Sequence, residues 1–188
     1  IVGGLLSLAG MTFPVALLFG ALISATDPVA VVATFRAVGA PKRLMTLVEG
    51  ESLLNDGTAV VLFNIFLGLA VTGHLSVSEG VFEFIKEVVG GIGIGLVFGF
   101  AIARLISEID DYLIEITLTT VLAYGSYLAA DFFHFSGVLA VVAAGLVNGN
   151  FGQRGMSPTT RIVLLNFWEY LAFLSNSFVF ILIGMNVT

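Results

Sequence analysis

Three carboxylates and an asparagine fall within nine consecutive residues, Glu49-Gly50-Glu51-Ser52-Leu53-Leu54-Asn55-Asp56-Gly57. Apolar residues flank this stretch, and the run 44–73 is long enough to cross a bilayer, which takes about 20 apolar residues. The acidic groups are therefore expected at membrane depth. A charge there costs about 2.5–3.5 kcal/mol on insertion scales, so a carboxylate at this depth marks a functional site.

Helical spacing sorts the polar residues of this stretch into two neighbouring rows. Ser52 and Asp56 are four residues apart and stack on one face of a helix, with Glu49 a turn below. Glu51 and Asn55 form a second row with the same spacing. The pattern predicts an oxygen-rich ion site on a transmembrane helix.

The composition of the whole chain is that of a polytopic membrane protein. Hydrophobic residues make up 58% of the 188 residues, charged residues make up 11%, and the mean hydropathy is +1.08; a soluble domain carries about 25% charged residues. Long apolar runs without alternation indicate helices rather than the strands of a barrel. The net charge of −6 provides no basic surface for nucleic acid. The sequence starts at Ile1 without a methionine, so we expect a piece of a longer protein.

The first complete apolar run, 13–38, is interrupted in its middle by Thr26-Asp27-Pro28. Proline removes a backbone donor and disfavours helix at the residue before it, which frees carbonyl groups near Ala25 and Thr26. Irregular backbone at membrane depth persists only where it is buried in protein or lines a wet cavity. A simple proline kink is the alternative interpretation. An acid at membrane depth needs a binding partner or a functional role, however, so Asp27 favours a functional site at the break.

The predicted bundle continues with apolar runs at 44–73, 88–106, 112–130, 137–149 and 162–187. The basic residues cluster at two of the connections between runs, which the positive-inside rule assigns to the cytoplasm. Five of the seven Lys and Arg residues belong to these connections: Arg36, Lys42, Arg43, Arg154 and Arg161. Glu115, near the start of its run, is predicted to lie at the membrane interface.

Two further patterns concern how the helices pack and turn. Gly91, Gly95 and Gly99 recur at every fourth residue, a spacing that lets helix backbones approach closely, within the chain or at a dimer contact.

The last run has a polar interruption at Ser175-Asn176-Ser177. Interrupted helices that enter the membrane from opposite sides are typical of transporters with inverted repeats. The fold prediction is therefore an all-α transmembrane bundle with inverted repeats and interrupted helices.

The motifs resemble those of the sodium/proton exchanger family, in particular its bacterial NhaP-like branch. The resemblance extends over essentially the whole chain and is carried by Ser24-Ala25-Thr26-Asp27-Pro28-Val29-Ala30-Val31, Gly50-Glu51-Ser52-Leu53-Leu54-Asn55-Asp56-Gly57, Ser136-Gly137-Val138-Leu139-Ala140-Val141-Val142-Ala143-Ala144-Gly145-Leu146 and Ile181-Leu182-Ile183-Gly184. It implies an antiporter fold whose core domain moves against a dimerising domain, with this chain holding the end of the fourth helix through the twelfth. The core, ion-translocating helices would lie at 13–73 and 137–187, and intervening helices at 77–130.

The resemblance also implies roles for individual residues of this sequence. Asp56 would bind sodium and proton alternately, with Asn55 as its partner in an Asn-Asp pair that goes with electroneutral exchange. Ser52 and Thr26 would supply further oxygens for the ion, and Asp27 would steady the crossing of the broken helices.

Glu51 would be a structural acid that needs a basic partner. Many relatives supply an arginine on the helix that corresponds to the run 137–149, but the matching stretch reads Leu146-Val147-Asn148-Gly149-Asn150 here. The partner of Glu51 is therefore not evident in this sequence.

The predicted function is exchange of a monovalent cation, Na⁺, for H⁺ across the cell membrane by a multi-pass protein. One carboxylate that binds either ion, but not both, couples the two flows, and sodium as a hard cation takes oxygen ligands. Such a protein is not an enzyme and needs no cofactor. Its expected partners are the two ions, the lipid bilayer and a second subunit in a homodimer.

Two alternatives belong to other classes of protein. A passive monovalent cation channel would use the same oxygen-rich site without coupling. An intramembrane aspartyl protease would need Asp27 and Asp56 close enough to share a proton. Asn55 and Ser52 beside Asp56 suit ion coordination better than proteolysis.

Overall fold

The computed structural model of the protein describes residues 1–26, 28–73 and 77–186, and within these ranges it contains helices and no strands. In chain order the elements are α1 (Val2–Leu8), α2 (Phe13–Leu22), α3 (Val29–Ala37), α4 (Lys42–Thr72), α5 (Val77–Ile106), α6 (Tyr112–Phe132), α7 (Gly137–Val147), a π-helix (Asn148–Gly152), α8 (Gln153–Gly155) and α9 (Pro158–Asn186). Helices α4, α5, α6 and α9 are long and apolar enough to cross a membrane. The prediction of an all-α transmembrane bundle is confirmed.

Local sequence explains where several helices begin and end. The carboxylate of Asp111 accepts a hydrogen bond from the backbone N–H of Leu113 at 2.9 Å and caps the start of α6. The hydroxyl of Ser136 caps α7 in the same way. Helix α4 ends at Gly73, whose φ of 71° is left-handed and favours glycine.

The first predicted interruption is present in the structure. Helix α2 ends at Leu22 and α3 begins at Val29, so the apolar run 13–38 forms two short helices rather than one span. The hydroxyl of Ser24 donates to the carbonyl of Ala21 at 2.7 Å and closes the end of α2. We call the described residues between these helices, 23–26 and 28, the α2–α3 break.

The second predicted interruption is wrong. Helix α9 continues through Ser175-Asn176-Ser177 to Asn186 without a break. Unlike proline, serine and asparagine keep their backbone donors, so a helix can run through them. The hydroxyl of Ser177 folds back onto the carbonyl of Phe173 at 2.8 Å, which satisfies the polar group locally.

Glycines bring α5 and α7 into backbone contact. A Cβ atom built on Gly91 would lie 2.5 Å from the carbonyl oxygen of Ser136, and one on Gly95 would collide with the carbonyl of Ala140. Gly99, a turn further along, is buried in the same contact. The predicted close approach of helices at this glycine spacing is confirmed, and it occurs within the chain.

Helix α7 is the centre of the bundle because it contributes to two apolar clusters. The smaller cluster joins α7 to α4 through Leu139, Val61 and Ile65. The larger one joins α7 to α5, α6 and α9, and its buried members are Ile102, Ile106, Leu122, Ala144, Met156 and Leu164. The α4 motif and the buried face of α6 are therefore both positioned by the same helix.

Candidate functional site

The polar motif of α4 faces the α2–α3 break and binds it directly. The buried hydroxyl of Ser52 donates a hydrogen bond to the backbone carbonyl of Thr26. The side-chain amide nitrogen of Asn55 donates to the carbonyl of Ser24 at 2.7 Å and to the hydroxyl oxygen of Thr26 at 3.1 Å. Two side chains one turn apart on α4 thus hold the irregular segment in place.

These contacts explain how an open backbone is stabilised inside an apolar bundle. The carbonyls of Ser24 and Thr26 lie beyond the end of α2, and unpaired backbone groups are costly away from water. The donors of Ser52 and Asn55 replace the missing helical partners. Proline at position 28 therefore interrupts the helix, and the side chains of α4 supply hydrogen-bond donors in place of the missing backbone donors.

Asp56 follows Asn55 and lies on the same turn as these contacts. Its side chain is half-buried, and no described residue donates a hydrogen bond to its carboxylate or forms an ion pair with it. The carboxylate oxygens are therefore available for a proton or a cation. We call the region where Ser52 and Asn55 of α4 bind the α2–α3 break the crossing. The oxygens of Thr26 and Ser52 at the crossing would provide the neutral part of such a site.

The donor set at this crossing restricts which metal ions fit. Within the described ranges, no group of three or more His, Cys, Asp or Glu side chains could hold a metal ion. A site at Asp56 would combine one carboxylate with hydroxyl and carbonyl oxygens. Such ligands suit a hard ion of low charge, and soft transition metals prefer sulfur or imidazole.

The remaining predicted site residues have different outcomes. Asp27 lies outside the described residues, so its assigned role at the crossing stays a prediction.

Glu51 is exposed, and among the described side chains no Lys or Arg pairs with it. Asn150, in the middle of the π-helix, lines a cavity of about 370 Å³ together with Leu54 of α4. The side-chain amide of Asn150 donates to the carbonyl of Leu146 at 2.7 Å, so this segment offers no basic group to Glu51.

Gly57 sets how closely α4 approaches α7. It is buried, and a Cβ atom at this position would lie 2.5 Å from Cδ2 of Leu139. The smallest residue of the α4 motif is therefore the one that faces α7. The sequence motif includes this glycine, but the neighbour it makes room for is visible only in the structure.

The position of Glu115 near the start of its run predicts that it lies at the membrane interface but gives no indication that it is buried among the helices. Its side chain has no exposed surface in the structure. Residues 115, 119, 122, 126 and 130 form the buried face of α6, so Glu115 is the first member of a face that packs into the bundle. Its spacing from Thr119 is the signal that could have identified it.

The sequence is similar to a known family over its whole length. The family described as "Sodium/hydrogen exchanger, transmembrane" matches residues 1–188. The Na(+)/H(+) antiporter NhaG of Bacillus atrophaeus is 46% identical over 186 residues, which are 95% of this chain and 35% of that protein. The antiporter ApNhaP of Aphanothece halophytica is 48% identical over 94% of this chain and 34% of its own length. NhaH of Halobacillus dabanensis is 40% identical over 96% of this chain and 46% of its own length.

The chain therefore spans about a third to just under half of the relatives that it matches. These relatives carry the name of antiporters, which gives no support to the channel or protease alternatives. The match extends over every residue, including the α4 motif and the α2–α3 break. The chain belongs to the sodium/hydrogen exchanger family.

Proposed function

We propose that the protein exchanges Na⁺ for H⁺ across the cell membrane and that Asp56 binds the two ions in turn. One observation supports the proposal: the carboxylate of Asp56, which has no partner among the described residues, lies on the helix turn that binds the α2–α3 break through Ser52 and Asn55. A site of this kind joins a negative charge to freed backbone oxygens. The relatives' names provide the independent support for the ions.

Competition for one carboxylate couples the two flows. When Asp56 is ionised it attracts Na⁺, and oxygens of Ser52 and Thr26 complete the coordination of a hard cation. When Asp56 takes a proton its charge disappears, and with it the attraction for the cation. One positive charge therefore moves in each direction, which makes the exchange electroneutral.

Asn55 acts mainly as a positioning residue in this scheme. Its amide nitrogen is committed to the carbonyl of Ser24 and the hydroxyl of Thr26, so it fixes the break relative to Asp56. Alternating access would require this crossing to move as a unit while the site opens to either face. Glu51 and Asp27 retain their proposed roles as a structural acid and as a support of the crossing.

The remaining parts of the proposal concern the assembly. The protein acts as a transporter in the lipid bilayer, without catalytic chemistry and without a cofactor. We propose a homodimer, in which the core helices at 13–73 and 137–187 move relative to the rest. The intervening helices at 77–130 would connect the two parts of the core.

The decisive variant is Asp56→Asn in the complete protein, reconstituted in proteoliposomes with a pH-sensitive dye inside. The amide keeps the size of the side chain and removes the exchangeable charge, so sodium-driven proton movement is expected to disappear. Asp131→Asn, which changes an exposed carboxylate at the end of α6, is the matched control and should transport normally.

Clamping the membrane potential distinguishes exchange from its alternatives. Electroneutral exchange gives the same rate of proton movement with and without an imposed voltage. Undiminished transport by Asp56→Asn would refute the assignment of the site. Voltage-driven sodium flux without proton movement would instead identify a channel.

A further inference from the structure

The carboxyl group of Glu115 is sealed inside the bundle without a partner. The residue has no exposed surface, and neither of its carboxyl oxygens accepts a hydrogen bond from any described residue. The other buried polar side chains of α6 differ, because the hydroxyls of Thr119 and Ser126 each donate to a backbone carbonyl within the helix. Glu115 is thus an unsatisfied titratable group in the interior.

The nearest polar groups on the same face are already engaged. The hydroxyl of Thr119 donates to the carbonyl of Ile116 at 2.8 Å and accepts from the indole N–H of Trp168 at 3.1 Å. Both hydrogens of this pair therefore point away from Glu115. The rest of the neighbourhood is the larger apolar cluster, to which Ile116 and Trp168 also belong.

Two acidic residues precede Glu115 closely in the sequence. Asp110 and Asp111 lie immediately before α6, four to five residues from Glu115. The carboxylate of Asp111 caps the helix start. The N-terminal end of α6 thus brings three acids together, and none of the described side chains provides a base beside Glu115.

The elements packed against α6 supply no counter-ion among the described side chains. On α5, Arg104 is paired with Glu108 at 2.6 Å. Helix α7 contains no titratable residue. The charged residues of α9, Arg161 and Glu169, are exposed, and the side chain of Arg154 is outside the described part of the chain.

We propose that Glu115 is a second proton-binding group of this protein, distinct from Asp56, and that it holds its proton at neutral pH. Burying an unpaired charge is far more costly than burying a neutral acid, so such a carboxyl group neutralises itself by binding a proton. The two acids belong to different helices: α4 and α6 each pack on α7, and the turn of α4 before Asp56 binds the α2–α3 break through Ser52 and Asn55.

A cavity lies beside the same face of α6, and Thr119 is the lining residue nearest to Glu115 in sequence. It measures about 290 Å³ and is bounded by Thr119, Trp168 and Asn148, among others. The side-chain oxygen of Asn148 is a second buried acceptor without a donor among the described residues. Water in this cavity would satisfy Asn148 and would reach Thr119, one turn from Glu115.

Infrared spectroscopy of the complete protein tests the proposal directly, at pH 7 in detergent. Wild type should show the C=O stretching band of a protonated carboxyl group, and Glu115→Gln should lack that band. The band should persist in Asp56→Asn and in Glu169→Gln, which removes an exposed acid of α9. Identical spectra for wild type and Glu115→Gln would overturn the proposal and leave the role of Asp56 untouched.

Thermal unfolding between pH 5 and pH 8 provides a second readout. A carboxyl group that is protonated in the fold releases its proton on unfolding above its ordinary pKa of about 4.3, so rising pH favours the unfolded wild type but not Glu115→Gln. At pH 8 the variant should melt higher than wild type by about 4 °C or more, and the two should converge toward pH 5. Glutamine matches a neutral glutamic acid in size, so a variant that fails to fold, or is less stable than wild type at pH 8, also contradicts the proposal.

Discussion

The crossing at Asn55 and the interior around Glu115 place polar groups in an apolar bundle in opposite ways. At the crossing, the donors of Ser52 and Asn55 meet the acceptors of the α2–α3 break, and Asn55 and Asp56 remain partly accessible. Around Glu115, the side chain is closed off from solvent and its oxygens find no donor in the described part of the chain.

This difference separates two kinds of ion binding. A partly accessible carboxylate that is supported by paired neighbours can take up and release a cation, because its surroundings stay satisfied in either state. A sealed carboxyl group without neighbours to stabilise its charge has only the proton as a suitable ligand. The comparison therefore predicts that Asp56 exchanges ions in every cycle, whereas Glu115 keeps one proton.

The largest effect on the crossing is expected from Asn55→Ala. The change removes the amide that donates to the carbonyl of Ser24 and to the hydroxyl of Thr26, and the loss of a hydrogen bond costs about 0.5–1.5 kcal/mol. We expect exchange to fall at least about tenfold, which corresponds to about 1.4 kcal/mol, because the break no longer stays in register with Asp56. Initial rates in proteoliposomes and the melting temperature measure the two effects.

Asn166→Ala is the matched control for this prediction, since Asn166 is exposed on α9. It should leave both the transport rate and the melting temperature near wild type. Unchanged transport by Asn55→Ala would show that the two hydrogen bonds are not needed to hold the crossing.

A smaller effect on the rate of exchange is expected from Gly57→Ala, at the point where α4 approaches α7. The new methyl group would meet the side chain of Leu139, and overpacking of this kind costs about 1–3 kcal/mol. Gly50 and Gly68 lie on the same helix with no atom within 4 Å of an added Cβ, so alanine there should stabilise the protein by up to about 1 kcal/mol.

The double variant Gly57→Ala/Leu139→Ala isolates the contact. If the two side chains compete for one space, the second change should relieve part of the cost of the first, and the two effects on unfolding free energy will not add. Strict additivity in a thermal or denaturant melt would mean that Gly57 is needed for another reason.

The sequence was sufficient for features that depend on local chemistry. Pro28 predicts the break because proline cannot continue a helix, and the fourfold spacing of Gly91, Gly95 and Gly99 predicts a close helix contact. The grouping of Ser52, Asn55 and Asp56 on one side of α4 follows from helical periodicity alone. Each of these predictions needs only the residues of one segment.

Features that depend on distant neighbours could not be predicted in this way. Whether Glu115 faces solvent or the interior depends on how the neighbouring helices pack on α6, and its position near a predicted helix end does not reveal that it is buried. The polar residues at 175–177 were predicted to interrupt a helix, but Ser177 satisfies its own hydroxyl within α9. Burial and continuity are properties of the assembled bundle.

The smallest effect that still tests the comparison comes from Trp168→Phe. Phenylalanine keeps most of the packing of Trp168 in the larger cluster but removes the N–H that donates to Thr119. The loss should cost about 0.5–1.5 kcal/mol of stability and leave exchange at Asp56 unchanged, because the crossing is not involved.

In a double-mutant cycle with Thr119→Val, measured by thermal melts, the coupling between the two positions should account for most of that cost. A melting temperature equal to that of wild type would show that the hydrogen bond does not stabilise the interior, whereas a loss of transport would mean that the interior around Glu115 and the crossing at Asn55 act as one unit.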